Sequence, residues 1–142
     1  QKRGQSSIEY LMITGLVLVI LLPFAYYSIR EVRLSTIQNS AEDTVRTLAI
    51  AADEVYALGP GSRKLVEVDM PEGVIQGVIG CPGACSESAE REIRLTIFVY
   101  GNRADVFALA KSQVQGNISI SRGRKQVEII ACENYVSIGQ SC

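Results

Sequence analysis

Residues 10–29 read YLMITGLVLVILLPFAYYSI, an uninterrupted run of twenty uncharged and mostly apolar side chains. An α-helix rises about 1.5 Å per residue, so such a run spans about 30 Å, the thickness of the hydrocarbon core of a bilayer. A cleavable secretory signal has a shorter apolar region followed by small residues at a cleavage site. Here the run continues through Pro23 to Tyr26 and Tyr27. The sequence therefore predicts a helix that belongs to the working protein and either crosses a membrane or is buried in an equally dry environment.

The helical pattern extends well beyond this run. From residue 34 onwards, apolar side chains recur at steps of three and four while charged residues occupy the other faces, which is typical of a helix with one buried stripe. Glycine at 59 and 61 and Pro60 end the pattern, because glycine allows a left-handed cap and proline cannot continue a helix. We expect one helix from about Gln5 to Leu58, roughly 80 Å long, with a bend at Pro23. Its stripe comprises Leu34, Ile37, Ala41, Val45, Leu48, Ala52 and Val55.

After Gly61 the period of the apolar residues changes to two, which is typical of half-buried antiparallel strands. Gly101-Asn102 and Arg122-Gly123-Arg124 are predicted turns, and the second is expected to close a hairpin. About six or seven short strands favour a small sandwich or barrel. The predicted strands lie at 66–70, 74–79, 93–99, 106–110, 117–121 and 126–131.

These patterns together predict the fold class α+β. A long N-terminal helix with a hydrophobic first half occupies residues 1–59, and a small antiparallel β-sandwich or barrel-like head occupies residues 60–142. A head of this size needs additional stabilisation, which disulfides and the apolar stripe of the helix would supply.

The four cysteines lie in the C-terminal part of the chain, and their even number suits two disulfides in an oxidising, extracytoplasmic environment. Three connectivities are open. Pairing of Cys81 with Cys85 and of Cys132 with Cys142 is favoured, because each pair is close in sequence and Pro82-Gly83 can fold the first pair together. A zinc site with four thiolates is the alternative, but the spacings lack the paired C-x2-C arrangement that is typical of such sites.

Composition argues against several classes of function. A formal net charge of -1 argues against broad binding of nucleic acid, which needs a basic surface. The absence of histidine removes the commonest general base and the commonest metal ligand. Phosphate-binding loops, dinucleotide-binding turns, paired catalytic carboxylates and nucleophile elbows are also missing from the sequence. We therefore expect a protein that is not an enzyme, with no catalytic residues, no bound metal and no cofactor.

Residues 2–11, KRGQSSIEYL, resemble the processing site of archaeal type IV pilins, which carry a class III signal peptide. In that family the cut falls after a basic-Gly pair and before a glutamine that opens a Q-x-S-x-E-Y motif. The matching residues are Gln5, Ser7, Glu9 and Tyr10. Over residues 2–30 the resemblance is one of motif, and beyond them it implies only a ladle-shaped architecture with a long helix and a β-rich head. Archaellins share this plan but usually lack the Gln-to-Tyr string, so a pilus is favoured over a motility filament.

The resemblance implies a processing site between Gly4 and Gln5, although the chain begins at Gln1, so a cut before Gln1 is the alternative. In the first case the α-amine of Gln5 can neutralise Glu9 of a neighbouring subunit. In the second case the counter-charges are the basic residues at positions 2 and 3. A carboxylate at the centre of a membrane helix costs about 2.5–3.5 kcal/mol, so we expect Glu9 to pair with a cation or to be protonated.

Residues Gln5, Ser7, Glu9 and Tyr10 are accordingly expected to set the register of assembly. The simpler alternative is that Glu9 only interacts favourably with the dipole of the first helical turn.

The resemblance further implies a helical homopolymer that is extracellular, with a precursor held in the cytoplasmic membrane. A prepilin peptidase, an assembly ATPase and a membrane platform are the implied partners. In lipid the helix is already out of water, so association with identical copies must come from packing, hydrogen bonds and ion pairs. The expected filament-core residues are Leu11, Ile13, Leu16, Val17, Ile20, Leu21, Phe24, Leu34, Ile37, Val45 and Leu48.

Other functions stay open beside that of a major pilin for adhesion or cell-cell contact. The chain could be a minor or initiating pilin or an archaellin-like subunit, or a single-pass membrane-anchored surface protein with a β-rich binding head. The ligand of such a head or of the fibre is not indicated. Asn117-Ile118-Ser119 is an acceptor sequence for N-glycosylation, but the tripeptide is common by chance, so the sequence favours neither a modified nor an unmodified Asn117.

Overall fold

The computed structural model describes residues 5–81, 86, 89–99 and 101–142 of the 142-residue chain. One long N-terminal α-helix precedes seven β-strands, which confirms the fold class α+β. The elements are α1 (Gln5–Leu58), β1 (Arg63–Met70), β2 (Val74–Ile79), a short 3-10 helix (Ala89–Arg91), β3 (Glu92–Val99), β4 (Asn102–Leu109), β5 (Val114–Gly116), β6 (Gly123–Ala131) and β7 (Val136–Ile138).

The chain divides into two compact units, Gln1–Thr36 and Ile37–Cys142. The second unit therefore contains the last part of α1 as well as every described strand. The boundary predicted between residues 59 and 60 coincides with the end of the helix, whereas the compact units divide within the helix itself.

Helix α1 ends at Leu58, the residue predicted from the glycines that follow. Gly59 and Gly61 have φ angles of 94° and 88°, a region that side chains other than glycine rarely adopt. The Gly59 N–H donates to the Tyr56 carbonyl at 3.1 Å, and the Gly61 N–H donates to the Ala131 carbonyl at 2.8 Å. The second bond joins the turn after the helix to the last residue of β6.

The seven strands form one sheet in the order β1-β6-β7-β5-β2-β3-β4. Neighbouring strands are antiparallel except for β5 and β7, which are parallel. β2 and β5 share only the pair Ile79↔Gly116, so the ladder is shortest at this point of the sheet. β1 and β4 are the two edges. The predicted sandwich or barrel is thus replaced by a single open sheet, because residues 41–55 of α1 cover its buried face instead of a second sheet.

The core of the Ile37–Cys142 unit lies between this part of α1 and the sheet. Ala41, Val45, Leu48, Ala52 and Val55 are completely buried, and they follow the predicted steps of three and four. The residues of the sheet that pack in the same cluster include Val66, Val68, Met70, Ile93, Leu95, Val127, Ile129, Val136 and Ile138.

Polar side chains of α1 also connect it to the rest of this unit. The Thr44 hydroxyl lies 2.9 Å from the carbonyl oxygen of Asp69 on β1, and the Asp53 carboxylate accepts a hydrogen bond from the Lys111 N–H at 2.7 Å. Helix and sheet are therefore joined by specific hydrogen bonds as well as by apolar packing.

The strand predicted at 117–121 is not formed, since residues 117–120 belong to no strand. Ile118 is buried all the same, and a Cβ built on Gly77 would lie 3.1 Å from its Cγ2 atom and 3.5 Å from that of Ile120. The two isoleucines thus pack across β2 at a position where β2 has no side chain. Alternation was right that Ile118 faces the core and wrong for Ile120, which is 39% exposed, and neither residue has a strand partner.

One predicted turn is present and the other does not close a hairpin. Val99 pairs with Asn102, so Gly101, with φ of 86°, lies in the turn between β3 and β4. β6 begins at Gly123 and pairs with β1 and β7, not with the segment before it. The Lys125 ammonium instead donates to the Ser119 hydroxyl at 2.7 Å and holds that preceding loop.

Candidate functional site

Residues 8–33 of α1 form a helix whose described side chains are all exposed. Its large apolar side chains, from Ile8 to Val32, are between 46% and 73% exposed. Residues 16–22 are seven consecutive apolar residues, and seven residues make about two turns, so apolar side chains cover every face of the helix. Exposed apolar surface of this extent marks a site of interaction with other proteins or with a membrane.

The length of this apolar segment matches a bilayer. α1 is the one helix in the described part of the chain that is long and apolar enough to cross a membrane. Charges flank the uncharged run on both sides, with Glu9 before it and Arg30, Glu31 and Arg33 after it. The segment therefore has the dimensions and charge distribution of a membrane span, by length and composition.

Polar groups inside the segment are mostly satisfied within the helix. The hydroxyls of Thr14 and Ser28 donate to the carbonyls of Tyr10 and Phe24, at 2.8 and 3.0 Å. Such bonds matter because an unsatisfied polar group in a dry environment costs several kcal/mol. Pro23 has no N–H, so the carbonyl four residues earlier, that of Val19, lacks its usual helical donor.

The residues of the N-terminal motif are only partly described. Residues 1–4, which include Gly4 of the predicted processing site and the alternative start Gln1, lie outside the described residues, as do the side chains of residues 5–7. α1 begins at Gln5. Glu9 is exposed and forms no ion pair with any described residue, and Tyr10 is exposed. A counter-charge for Glu9 is therefore not supplied by the part of the chain that the structure describes.

The predicted filament-core residues differ in their burial. Ile37 is half-buried, and the side chain of Leu34 lies outside the described part. Val45 and Leu48 are completely buried in the core of their own unit. Their assignment to contacts between copies is corrected, because a side chain that packs against β-strands of the same chain has no surface left for a neighbour. The exposed members are Leu11, Ile13, Leu16, Val17, Ile20, Leu21 and Phe24.

The Cys132–Cys142 disulfide is present, with an S–S distance of 2.02 Å. It attaches residue 142 to the residue that follows β6. Cys81 is also disulfide-bonded, while Cys85, its predicted partner, lies outside the described residues. Within the ranges that the structure describes, no cluster of three or more Cys, Asp or Glu side chains could hold a metal ion.

Asn117 lies in the exposed loop between β5 and β6. Its backbone N–H donates to the Ile138 carbonyl at 3.1 Å, and the Ser119 hydroxyl two residues later contacts Lys125. The acceptor sequence is therefore at the surface of the unit, and its modification stays a prediction.

The outward face of β3 and β4 is a second exposed surface, which the sequence analysis did not identify. Phe98, Phe107 and Leu109 are 46%, 59% and 57% exposed. Among them the Arg94 Nε donates to Glu92 at 2.6 Å, and this hydrogen bond raises the pKa of the Arg94 guanidinium. The alternation of residues 103–109 could have indicated this surface, but alternation does not say which face lacks a cover.

No protein-family model, curated protein or solved structure matches this chain. The exposed apolar helix and the open sheet are therefore the features from which a function has to be inferred.

Proposed function

We propose that this chain is the major structural subunit of an extracellular archaeal type IV pilus, which serves adhesion to surfaces or contact between cells. The subunits polymerise through residues 8–33 of α1. The observation that carries this proposal is that this segment is apolar on every face and exposed on every face.

A helix that is apolar on one side needs one partner, whereas a helix that is apolar all round has to be surrounded. Lipid surrounds the segment while the precursor is in the membrane. In the fibre, several identical helices replace the lipid, and a head-to-tail contact that does not close generates an open helical polymer. The internally bonded hydroxyls of Thr14 and Ser28 suit both environments, because neither requires water.

Glu9 supports assembly with a defined register. It stands at the entrance of the apolar run and has no ion-pair partner among the described residues of its own chain. A desolvated carboxylate without a partner costs several kcal/mol, so a neighbouring subunit that offers a cation favours one particular offset between helices. From the resemblance of residues 2–11 to the pilin processing site, that cation is the α-amine of Gln5 if the cut precedes Gln5, or the basic residues at positions 2 and 3 if it precedes Gln1.

The proposal includes the machinery that such subunits use. A prepilin peptidase acts between Gly4 and Gln5, or before Gln1, and an assembly ATPase with its membrane platform extracts the precursor from the cytoplasmic membrane. Nucleic acid is not an expected partner, because the net charge is -1.

A single-pass membrane-anchored surface protein is the second candidate, and the length of the apolar segment favours it equally. In that case lipid alone surrounds the segment, and no contact between copies is needed. The anchored protein would be a detergent-soluble monomer or small oligomer and would form no fibres. A minor or initiating pilin differs from the major subunit in abundance.

Negative-stain microscopy of sheared cell-surface material tests the proposal. We expect thin helical fibres in which mass spectrometry identifies this chain as the main component. Recovery of the chain solely from detergent-extracted membranes, with no fibres, would contradict the proposal and support the anchored protein. Fibres that contain this chain as a trace component would identify a minor pilin.

The substitution Glu9→Gln tests the role of the carboxylate, and Glu31→Gln is its matched control on the same helix beyond the apolar run. Loss of one desolvated ion pair per subunit should lower the fibre yield at least about tenfold, while Glu31→Gln leaves it unchanged. The amount of each precursor in the membrane should be the same. An equal yield from both variants would remove the registering role of Glu9.

A further inference from the structure

The strand β4 forms one edge of the sheet and pairs with β3 alone. The pair Val99↔Asn102 closes a two-residue turn, so it is a hydrogen-bonded pair, and hydrogen-bonded and non-hydrogen-bonded pairs alternate from there. The N–H and C=O groups of Arg103, Asp105 and Phe107 consequently point away from β3. They have no backbone partner among the described residues.

Apart from the charges of Arg103 and Asp105, this edge lacks the features that usually protect an exposed strand. Its sequence contains no proline and no lysine, and its register with β3 continues without a bulge over eight residues. Phe107 on its outward face is more than half exposed. An edge of this kind can accept a further strand by main-chain hydrogen bonding.

The charges on β4 favour a second copy of the same strand. Arg103 and Asp105 lie on the same face, two residues apart, and Arg103 forms no ion pair with any described residue. The Thr96 hydroxyl donates to one carboxylate oxygen of Asp105 at 2.7 Å and holds that side chain on the outward face.

An antiparallel pair of β4 strands with Arg103 opposite Asp105 contains this charge pair twice, because a two-fold axis repeats it. If the second strand is shifted so that each residue faces a position two residues further along, Asp105 lies opposite Asp105 of the second copy. Opposed like charges are destabilising in a sheet, whereas opposed unlike charges contribute about 0.2–1 kcal/mol per pair. The charges therefore select a register centred on Ala104.

We propose that β4 pairs antiparallel with β4 of a second copy, with the two-fold axis at Ala104. A two-fold contact cannot relate successive subunits of a polar helical fibre. Within the proposed pilus it therefore joins the heads of two different fibres side by side. The dimer itself does not depend on fibre formation, and only this bundling role rests on the proposed function.

A cysteine cross-link tests the pairing in the full-length chain in detergent. Ala104 would face its symmetry mate as a non-hydrogen-bonded pair with Cα atoms about 4.5 Å apart, which lies within the range of disulfides. Val106→Cys is the control, because in this register Val106 faces Asn102 and the two Val106 residues are offset by about 13 Å along the strands. We expect Ala104→Cys to give a cross-linked dimer under mild oxidation, identified by peptide mapping, and Val106→Cys to give none. Equal or stronger cross-linking through Val106→Cys, or no cross-link through Ala104→Cys, overturns the proposal.

Charge reversal in the Ala104→Cys background tests the choice of partner. Arg103→Asp or Asp105→Arg alone should lower the cross-linked fraction about tenfold or more, because each creates two like-charged pairs. The double variant Arg103→Asp with Asp105→Arg should restore it, since the unlike pairs return with reversed sign. Failure of the double variant to recover, with thermal unfolding unchanged, would show that another chain or no chain occupies this edge.

Microscopy of surface fibres separates this inference from the proposed function. The single charge reversals should leave fibres of normal number and length that no longer lie in bundles. Bundles that persist in both single variants overturn the inference while the fibre stands. Absence of fibres from the unmodified protein overturns the proposed function and leaves the cross-link as the test of the dimer.

Discussion

The two parts of helix α1 have the same backbone conformation and very different surroundings. In residues 8–33 every described side chain is exposed, whereas in residues 41–55 one stripe is buried and most of the exposed positions carry charges. The difference follows from how apolar residues are distributed around the helix. One sheet of the same chain is enough to bury an apolar stripe. Residues 8–33, called here the apolar cylinder, are apolar on every face, so only other molecules that surround them can bury them.

Leu48→Ala should have the largest effect on stability, because it opens a cavity in the completely buried stripe. We expect a loss of about 2–5 kcal/mol in the free energy of unfolding, measured by denaturant titration of the full-length chain in detergent. Ile50→Ala, two residues away and 52% exposed, should cost well under half as much. Equal losses would show that residues 41–55 are not a one-sided stripe.

Ile20→Lys places a charge in the apolar cylinder. Its cost is about 2.5–3.5 kcal/mol in a bilayer, which the remaining apolar residues offset, so the precursor should still enter the membrane. In a dry bundle of helices the same unpaired charge should lower the fibre yield about a hundredfold, as counted by microscopy. Ile50→Lys is the control and should leave the yield unchanged. Fibres formed normally by Ile20→Lys would contradict burial of this segment between copies.

Replacing Cys132 and Cys142 together by serine should affect only the Ile37–Cys142 unit. The disulfide closes a loop with a sequence separation of 10, and its removal should lower the free energy of unfolding by about 2–3 kcal/mol. The amount of chain in the membrane should not change, since residues 8–33 contain no part of this unit. A fall in membrane insertion that matches the loss of stability would mean that the two regions are not independent.

The smallest expected difference in the free energy of unfolding is the one between variants of two threonines of α1. Thr14 donates to the carbonyl four residues earlier, whereas the single hydroxyl proton of Thr44 is shared between the Ser40 carbonyl in the same helix and the Asp69 carbonyl on β1, each at 2.9 Å. Thr44→Val should cost about 1 kcal/mol because the Asp69 carbonyl loses a donor, while Thr14→Val should leave unfolding of the Ile37–Cys142 unit unchanged. Thermal unfolding of both variants provides the measurement, and a reversed order would contradict the assigned bonds.

The sequence predicted the features that depend on local chemistry. The C-terminal end of α1 follows from the glycines at 59 and 61, and its stripe follows from helical periodicity. The position of the apolar cylinder at residues 8–33 required only the composition of that segment.

Features that depend on distant partners were predicted less well. Alternation placed Ile118 in the core. It could not show that this side chain packs over Gly77, where β2 has no side chain, without residue 118 belonging to a strand. Val45 and Leu48 were assigned to contacts between copies because periodicity shows that a residue is buried and not what buries it. The edge position of β4 likewise depends on the order of all seven strands, which the local pattern of one strand does not contain.

A sheet under tension opens where its ladder is shortest. β1 and β6 are joined by eight residue pairs, whereas β2 and β5 share the single pair Ile79↔Gly116. A Cβ at residue 116 would lie 2.0 Å from the Ile138 carbonyl oxygen, so a larger residue there would clash with the backbone instead of strengthening the contact between β2 and β5. A load that pulls the β1-β6-β7 side away from the β2-β3-β4 side should therefore separate β2 from β5 first. The long ladders on either side would stay closed, so the head could extend under force and recoil when the force is released.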